Sequence, residues 1–132
     1  FILLIGILLI AAGCLPSQIK AATLTANSIS TFADATYEVL SFNYQQDQEE
    51  CVNKAKEKEE AVACVTEVRK KYKPAWAYYR SLRTSWLMLA SAIQTAKLIK
   101  SPNDDRLAPA VANLIESHDG FKDVSKALEA NP

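Results

Sequence analysis

Cys51-Val-Asn-Lys-Ala-Lys-Glu-Lys-Glu-Glu-Ala-Val-Ala-Cys64 is the polar middle of a long segment, residues 17–73, that contains neither glycine nor proline. The segment is rich in Ala, Glu, Lys, Gln and Leu, the residues that lose least on entering a helix. One unbroken helix over that length would measure about 85 Å, far more than a small domain accommodates outside a coiled coil. The chain must therefore reverse. The reversal is expected at Lys56 to Lys58, where few apolar residues define a buried face and where Glu59 and Glu60 suit the positive first turn of a following helix.

The two cysteines test that placement. In one straight helix Cys51 and Cys64 would lie about 20 Å apart, whereas a disulfide needs Cα atoms about 4.4 to 6.8 Å apart. A turn at their midpoint puts them opposite each other near the end of an antiparallel hairpin. A Cys51–Cys64 staple is the expected outcome, with two small buried thiols as the alternative.

Continuing the fold-back outward pairs Leu40 with Ala75, Ala33 with Leu82, Ile29 with Trp86, Ala26 with Leu89, and Ala22 with Ile93. Small side chains repeatedly face large ones, as a densely packed helical pair requires. The second arm keeps helical spacing through Val65, Val68, Tyr72, Trp76, Tyr79, Leu82, Trp86, Leu89, Ile93 and Ala96. Pro74 interrupts it, so a kink near 70–73 or a break is expected. Leu87, Met88, Leu98 and Ile99 lie off this stripe and call for a second cover, which the C-terminal part is expected to supply.

That part opens with Ser101-Pro102-Asn103-Asp104-Asp105, a turn cluster with N-cap candidates, and Leu107, Val111, Leu114, Ile115 and His118 then follow at helical spacing. Pro109 is tolerable only in a first turn. Asp119-Gly120 is expected to end that helix, with Phe121, Val124, Ala127 and Leu128 forming a short last one. The expected fold is all-α: a long antiparallel hairpin with a disulfide near its tip, plus one or two short C-terminal helices, making a three-to-four-helix bundle.

Chemistry-bearing patterns are sparse. His118, the single histidine, reads as a surface or capping residue near a helix end, with no nucleophile at an assignable spacing. Catalytic residues, a metal site and a cofactor are all expected to be absent; Cys51 and Cys64 alone are two ligands short of a zinc site. Lys plus Arg and Asp plus Glu total 15 each, so no global field draws in nucleic acid or anionic lipid. Local charge is different. The run Arg69-Lys70-Lys71-Tyr72-Lys73 reads first as a solvated face near the kink, with contact to lipopolysaccharide, acidic lipids or an acidic partner as the alternative. Trp76, Tyr78, Tyr79, Arg80, Arg83 and Trp86 form an aromatic and arginine patch of the kind enriched at interfaces. With Trp76, Tyr79 and Trp86 assigned to the core, Tyr78, Arg80, Arg83, Lys70 and Lys71 remain as the candidate interaction surface for a protein partner.

The chain opens with Phe-Ile-Leu-Leu-Ile-Gly-Ile-Leu-Leu-Ile-Ala-Ala-Gly-Cys, residues 1–14, an apolar run that narrows to small residues and stops at Cys14. Phe1 is not an initiator residue, so the chain is expected to be a fragment of a longer one, with a processed chain as the alternative. Residues 1–13 read as an export segment and 14–132 as one helical domain. Ala11-Ala12-Gly13-Cys14 resembles the lipobox of bacterial lipoproteins, although Ala11 stands where Leu is commonest. The resemblance implies acylation of Cys14, a membrane anchor of two or three acyl chains, and residence in the cell envelope. Leu15 in place of Asp implies the outer membrane, facing the periplasm, in a Gram-negative source. An ordinary cleaved signal, a retained membrane anchor and a buried helix are the other readings of this run. A pilin-like start is disfavoured, because Ile5 stands where those proteins usually carry glutamate. The expected role is that of a membrane-anchored, exported structural or interaction protein acting by contact and not by catalysis. A filament or envelope subunit that retains its apolar N-terminal helix is the alternative.

Overall fold

A computed structural model describes residues 18–101 and 103–130 of the chain. The export segment 1–13 and the acylation site Cys14 lie outside the described residues. Three helices follow one another: α1 (Gln18–Lys54), α2 (Lys58–Leu98) and α3 (Leu107–Ala130).

The reversal occupies residues 55–57, where the sequence places it. Ala55 N still donates to Cys51 O (3.2 Å), and Glu57 is extended (φ −127°, ψ 155°), so the first bond of α2 runs from Ala61 N to Glu57 O (3.3 Å). Glu57 contributes no side-chain cap. Glu60 reaches back instead, its Oε2 accepting from Lys56 N at 3.0 Å, and with Glu59 it brings negative charge to the first turn. Cys51 and Cys64 form the disulfide, with Cα atoms 5.5 Å apart.

The seam between α1 and α2 follows the expected register. Ala22, Ala26, Ile29, Ala33 and Leu40 are buried on α1, and Ala75, Leu82, Leu89, Ile93 and Ala96 on α2. Trp86 Nε1 donates to the Ala26 carbonyl (3.2 Å), one turn from the Ile29 it was expected to meet. Toward the tip the seam becomes aromatic: Tyr37 stacks on Tyr79 (4.4 Å between centroids), and Tyr44 meets Tyr72 and Trp76 edge-on.

α2 runs through Pro74 without a break. Both Pro74 and Lys70, whose carbonyl loses its amide partner, are on the exposed side of the helix. Water can take the missing bond, which is why the ring is tolerated there.

α2 ends in a paired set of backbone bonds, Ser101 N to Ala96 O (2.9 Å) and Lys100 N to Lys97 O (3.2 Å). This is a Schellman closure with Lys100 at φ 55°, a conformation that usually falls to glycine. Asp104 then caps the entry to α3. Its Oδ1 accepts from Arg106 N (3.0 Å) and Nε (2.8 Å), and its Oδ2 from Nη2 (2.7 Å). Those Arg106 hydrogen bonds, side chain first and backbone second, hold the Asp104 carboxyl down at about 2. Pro109 falls within the first turn of α3, as its chemistry demands.

Two expectations about the C-terminal part are corrected. Gly120 does not end a helix, and α3 is one continuous element through Ala130, so the bundle has three described helices and not four. The glycine serves packing: a Cβ at Gly120 would stand 2.7 Å from Tyr78 Cδ1, so its absence lets the Tyr78 ring lie against α3. The cover for the second apolar side of α2 is also misplaced in the sequence reading. α3 docks through Phe121 on Tyr79 (5.5 Å) and through Ser117 on Ser81 and Ser85 (3.4 and 3.0 Å). Leu87, Met88, Leu98 and Ile99 stay exposed. A helix one stripe wide can cover only the groove between α1 and α2, and those four residues point away from that groove.

Candidate functional site

Arg69, Lys73, Trp76, Arg80 and Arg83 recur at alternating steps of four and three, which places them on one face of α2 over a rise of about 21 Å. Tyr44 of α1 closes one side. Together with Thr66 and Lys70 the first four line an open groove of about 370 Å³. The Trp76 ring is fixed from behind by Tyr37, Tyr44 and Tyr72, with centroids 5.5, 5.8 and 6.1 Å away. The indole is thus held in place by three tyrosine rings beside long flexible cations.

No acidic residue lines the groove. Lys70 is paired with Glu67 (2.7 Å) on an exposed edge. Among the described residues Arg69, Lys73, Arg80 and Arg83 enter no salt bridge. On a chain of zero formal charge this is a local positive strip, with Glu67 at the edge beside Lys70 as its one salt-bridged acid among the described residues.

The structure divides the candidate surface taken from the sequence. Lys70 and Arg80 line the groove, and Arg83 continues its row along α2. Lys71 is turned away: its Nζ lies 3.5 Å from Asp47 Oδ2 and 5.5 Å over the Tyr72 ring, on the side of the disulfide. Tyr72 donates to the same Asp47 oxygen (3.0 Å), and burial, followed by that hydrogen bond, pushes its phenol up to about 12. Tyr78 sits at the α2–α3 seam against Gly120, 42% exposed. Arg69 and Lys73 also belong to the groove, and their spacing from Arg80, eleven and seven residues, is the sequence signal that sets them apart from the rest of the basic run. Tyr44 carried no such signal.

His118 is corrected from a surface residue to a buried one, 4% exposed in the middle of α3. The ring of Phe32 meets it edge-on at 5.0 Å. Neither ring nitrogen has a hydrogen-bond partner, and Asp119 Oδ1, at 3.7 Å from Nδ1, is beyond reach of one. Burial lowers the imidazole pKa below its ordinary value, against the opposing pull of Asp119. Among the described residues no hydrogen bond orients the ring in the way general-base chemistry uses.

Among the described residues no group of three or more His, Cys, Asp or Glu could hold a metal ion, and no helix is long and apolar enough to cross a membrane. No protein-family profile, curated protein or solved structure matches the chain.

Proposed function

We propose that the protein is a membrane-tethered, exported helical interaction module whose basic, aromatic-floored groove on α2 receives an acidic segment of a partner protein. The observation that carries this reading is the row of four cations, Arg69, Lys73, Arg80 and Arg83, in no salt bridge beside the braced indole of Trp76. Arginine and tryptophan concentrate binding energy at protein interfaces, and complementary charge speeds and orients encounter. The Cys51–Cys64 bridge supports an oxidising compartment, and the apolar run ending at Cys14 supports a tether there.

Poly-L-glutamate is a suitable probe of the groove. Binding should quench or shift Trp emission, weaken with salt and fall at least tenfold in Arg69→Glu/Lys73→Glu/Arg80→Glu. Equal binding by wild type and variant would remove the groove from consideration. Radiolabelled palmitate, with Cys14→Ala as control, tests the tether separately; an unlabelled mature chain retaining Phe1 would rule out acylation.

One observation favours the filament or envelope subunit as a second reading. Leu24, Val39 and Phe42 are exposed on α1 and form an apolar row away from the hairpin seam. Sedimentation of wild type against Val39→Glu/Phe42→Glu separates the readings: dissociation of an assembly by the variant supports the subunit, and a monomer in both cases excludes it.

A further inference from the structure

Gln18 N contacts Asn103 Oδ1 (3.5 Å), so the first residue of α1 adjoins the connection between α2 and α3. Whatever precedes Gln18 therefore leaves from that end of the bundle. Only Leu15, Pro16 and Ser17 separate Cys14 from Gln18, and four extended residue steps span at most about 14 Å. An acylated Cys14, or a retained apolar segment ending there, would bring this end of the bundle to within that distance of a bilayer.

The side chains at this end suit such a neighbour. Leu98 is 82% exposed, the most exposed large apolar residue of the described chain, and Ile99 beside it is 56% exposed. Lys97 and Lys100 flank them, also exposed. The Schellman closure, with bonds from Ser101 to Ala96 and from Lys100 to Lys97, fixes the pair outward on a rigid turn. Of the acids nearby, Asp104 is neutralised by Arg106 (2.7 Å) and Asp105 is exposed. The opposite end is different in kind. Val52 and Val62 are exposed there too, but among five glutamates, Glu49, Glu50, Glu57, Glu59 and Glu60, which outnumber Lys54, Lys56 and Lys58.

We infer that the α2–α3 turn is a membrane-contact element: Leu98 and Ile99 enter the boundary between headgroups and acyl chains, and Lys97 and Lys100 lie among anionic headgroups. The inference rests on the tethered reading and adds an orientation to it. With the bundle axis near the membrane normal, residues 80 to 69 of the groove stand about 27 to 43 Å above the surface, clear of the lipid and open to a partner.

The test uses the full chain on phosphatidylglycerol-containing vesicles with brominated acyl chains. Leu98→Trp is compared with Val62→Trp at the far tip; both positions are exposed, and Trp76 and Trp86 give a common background. The emission added by Leu98→Trp should lose about half its intensity, and that added by Val62→Trp should lose none. Flotation without added quenching at Leu98→Trp overturns the contact while leaving the tether standing. Failure to float overturns the tether and the contact together.

Discussion

Between residues 45 and 69 the hairpin buries a single residue, Cys51, whereas the stretches 18–44 and 70–96 bury five residues on α1 and six on α2. The contacts of α3 named above, with Phe32, Tyr78, Tyr79, Ser81 and Ser85, all fall in the second region. The tip is thus a two-helix stub closed by a covalent bond, and the body is a three-helix bundle closed by burial. Two helices alone cannot bury a full stripe on each partner, since one side of their groove stays wet. A disulfide makes up the shortfall by restricting the unfolded chain, and a third helix makes it up by excluding water.

That contrast can be broken most directly in the body. Phe121 is fully buried against Tyr79, and Phe121→Ala should cost about 3 to 5 kcal/mol in urea denaturation, while Val62→Ala at the tip should change stability by no more than about 0.5 kcal/mol. Equal losses at the two positions would erase the distinction. Next in size is removal of the staple. Cys51→Ser/Cys64→Ser should lose about 3 kcal/mol, as expected for a loop of this order, and amide exchange should accelerate over 45–69 far more than over 75–96.

A third prediction concerns a flaw within the body. His118 is buried with both nitrogens unsatisfied, so His118→Leu should stabilise by about 1 kcal/mol near neutral pH. Because burial lowers the folded-state pKa, the unfolded chain takes up the proton first as pH falls below the ordinary histidine value. Wild-type Tm should therefore drop between pH 7 and 5, and the drop should be smaller in His118→Leu. The Asp104 cap, held at about 2, is a separate matter: it stabilises above the ordinary aspartate value and loses that contribution only as pH falls below it. The smallest effect belongs to the turn joining the two longer-range partners of the body. Lys100→Gly relieves a left-handed backbone at φ 55° and should raise stability by about 0.5 to 1 kcal/mol in the same denaturation assay.

Much of this was legible without coordinates. Cysteines equidistant from a polar midpoint located the turn, and the period of the apolar positions located the seam, down to Ala26 and Trp86 lying within one turn of their expected partners. Errors gathered where one residue type serves two physical ends. Gly120 looked like a helix stop because glycine commonly closes helices, yet here it admits the Tyr78 ring. His118 looked like a cap because it preceded that supposed stop. Lys71 looked equivalent to Lys70, although a step of one residue rotates the side chain by about 100° and delivers it to Asp47 on the other side of the hairpin.

Helical propensity, the reversal at 55–57 and the pairing of α1 with α2 came from the sequence itself, because each depends on residues close in the chain or symmetric about one turn. The course of α3, the burial of His118, the exposure of Leu98 and Ile99, and the joining of Tyr44 to the cations of α2 were decided only by tertiary packing. Periodicity tells a helix which stripe to bury, but which neighbour covers that stripe depends on the space left by the other two helices.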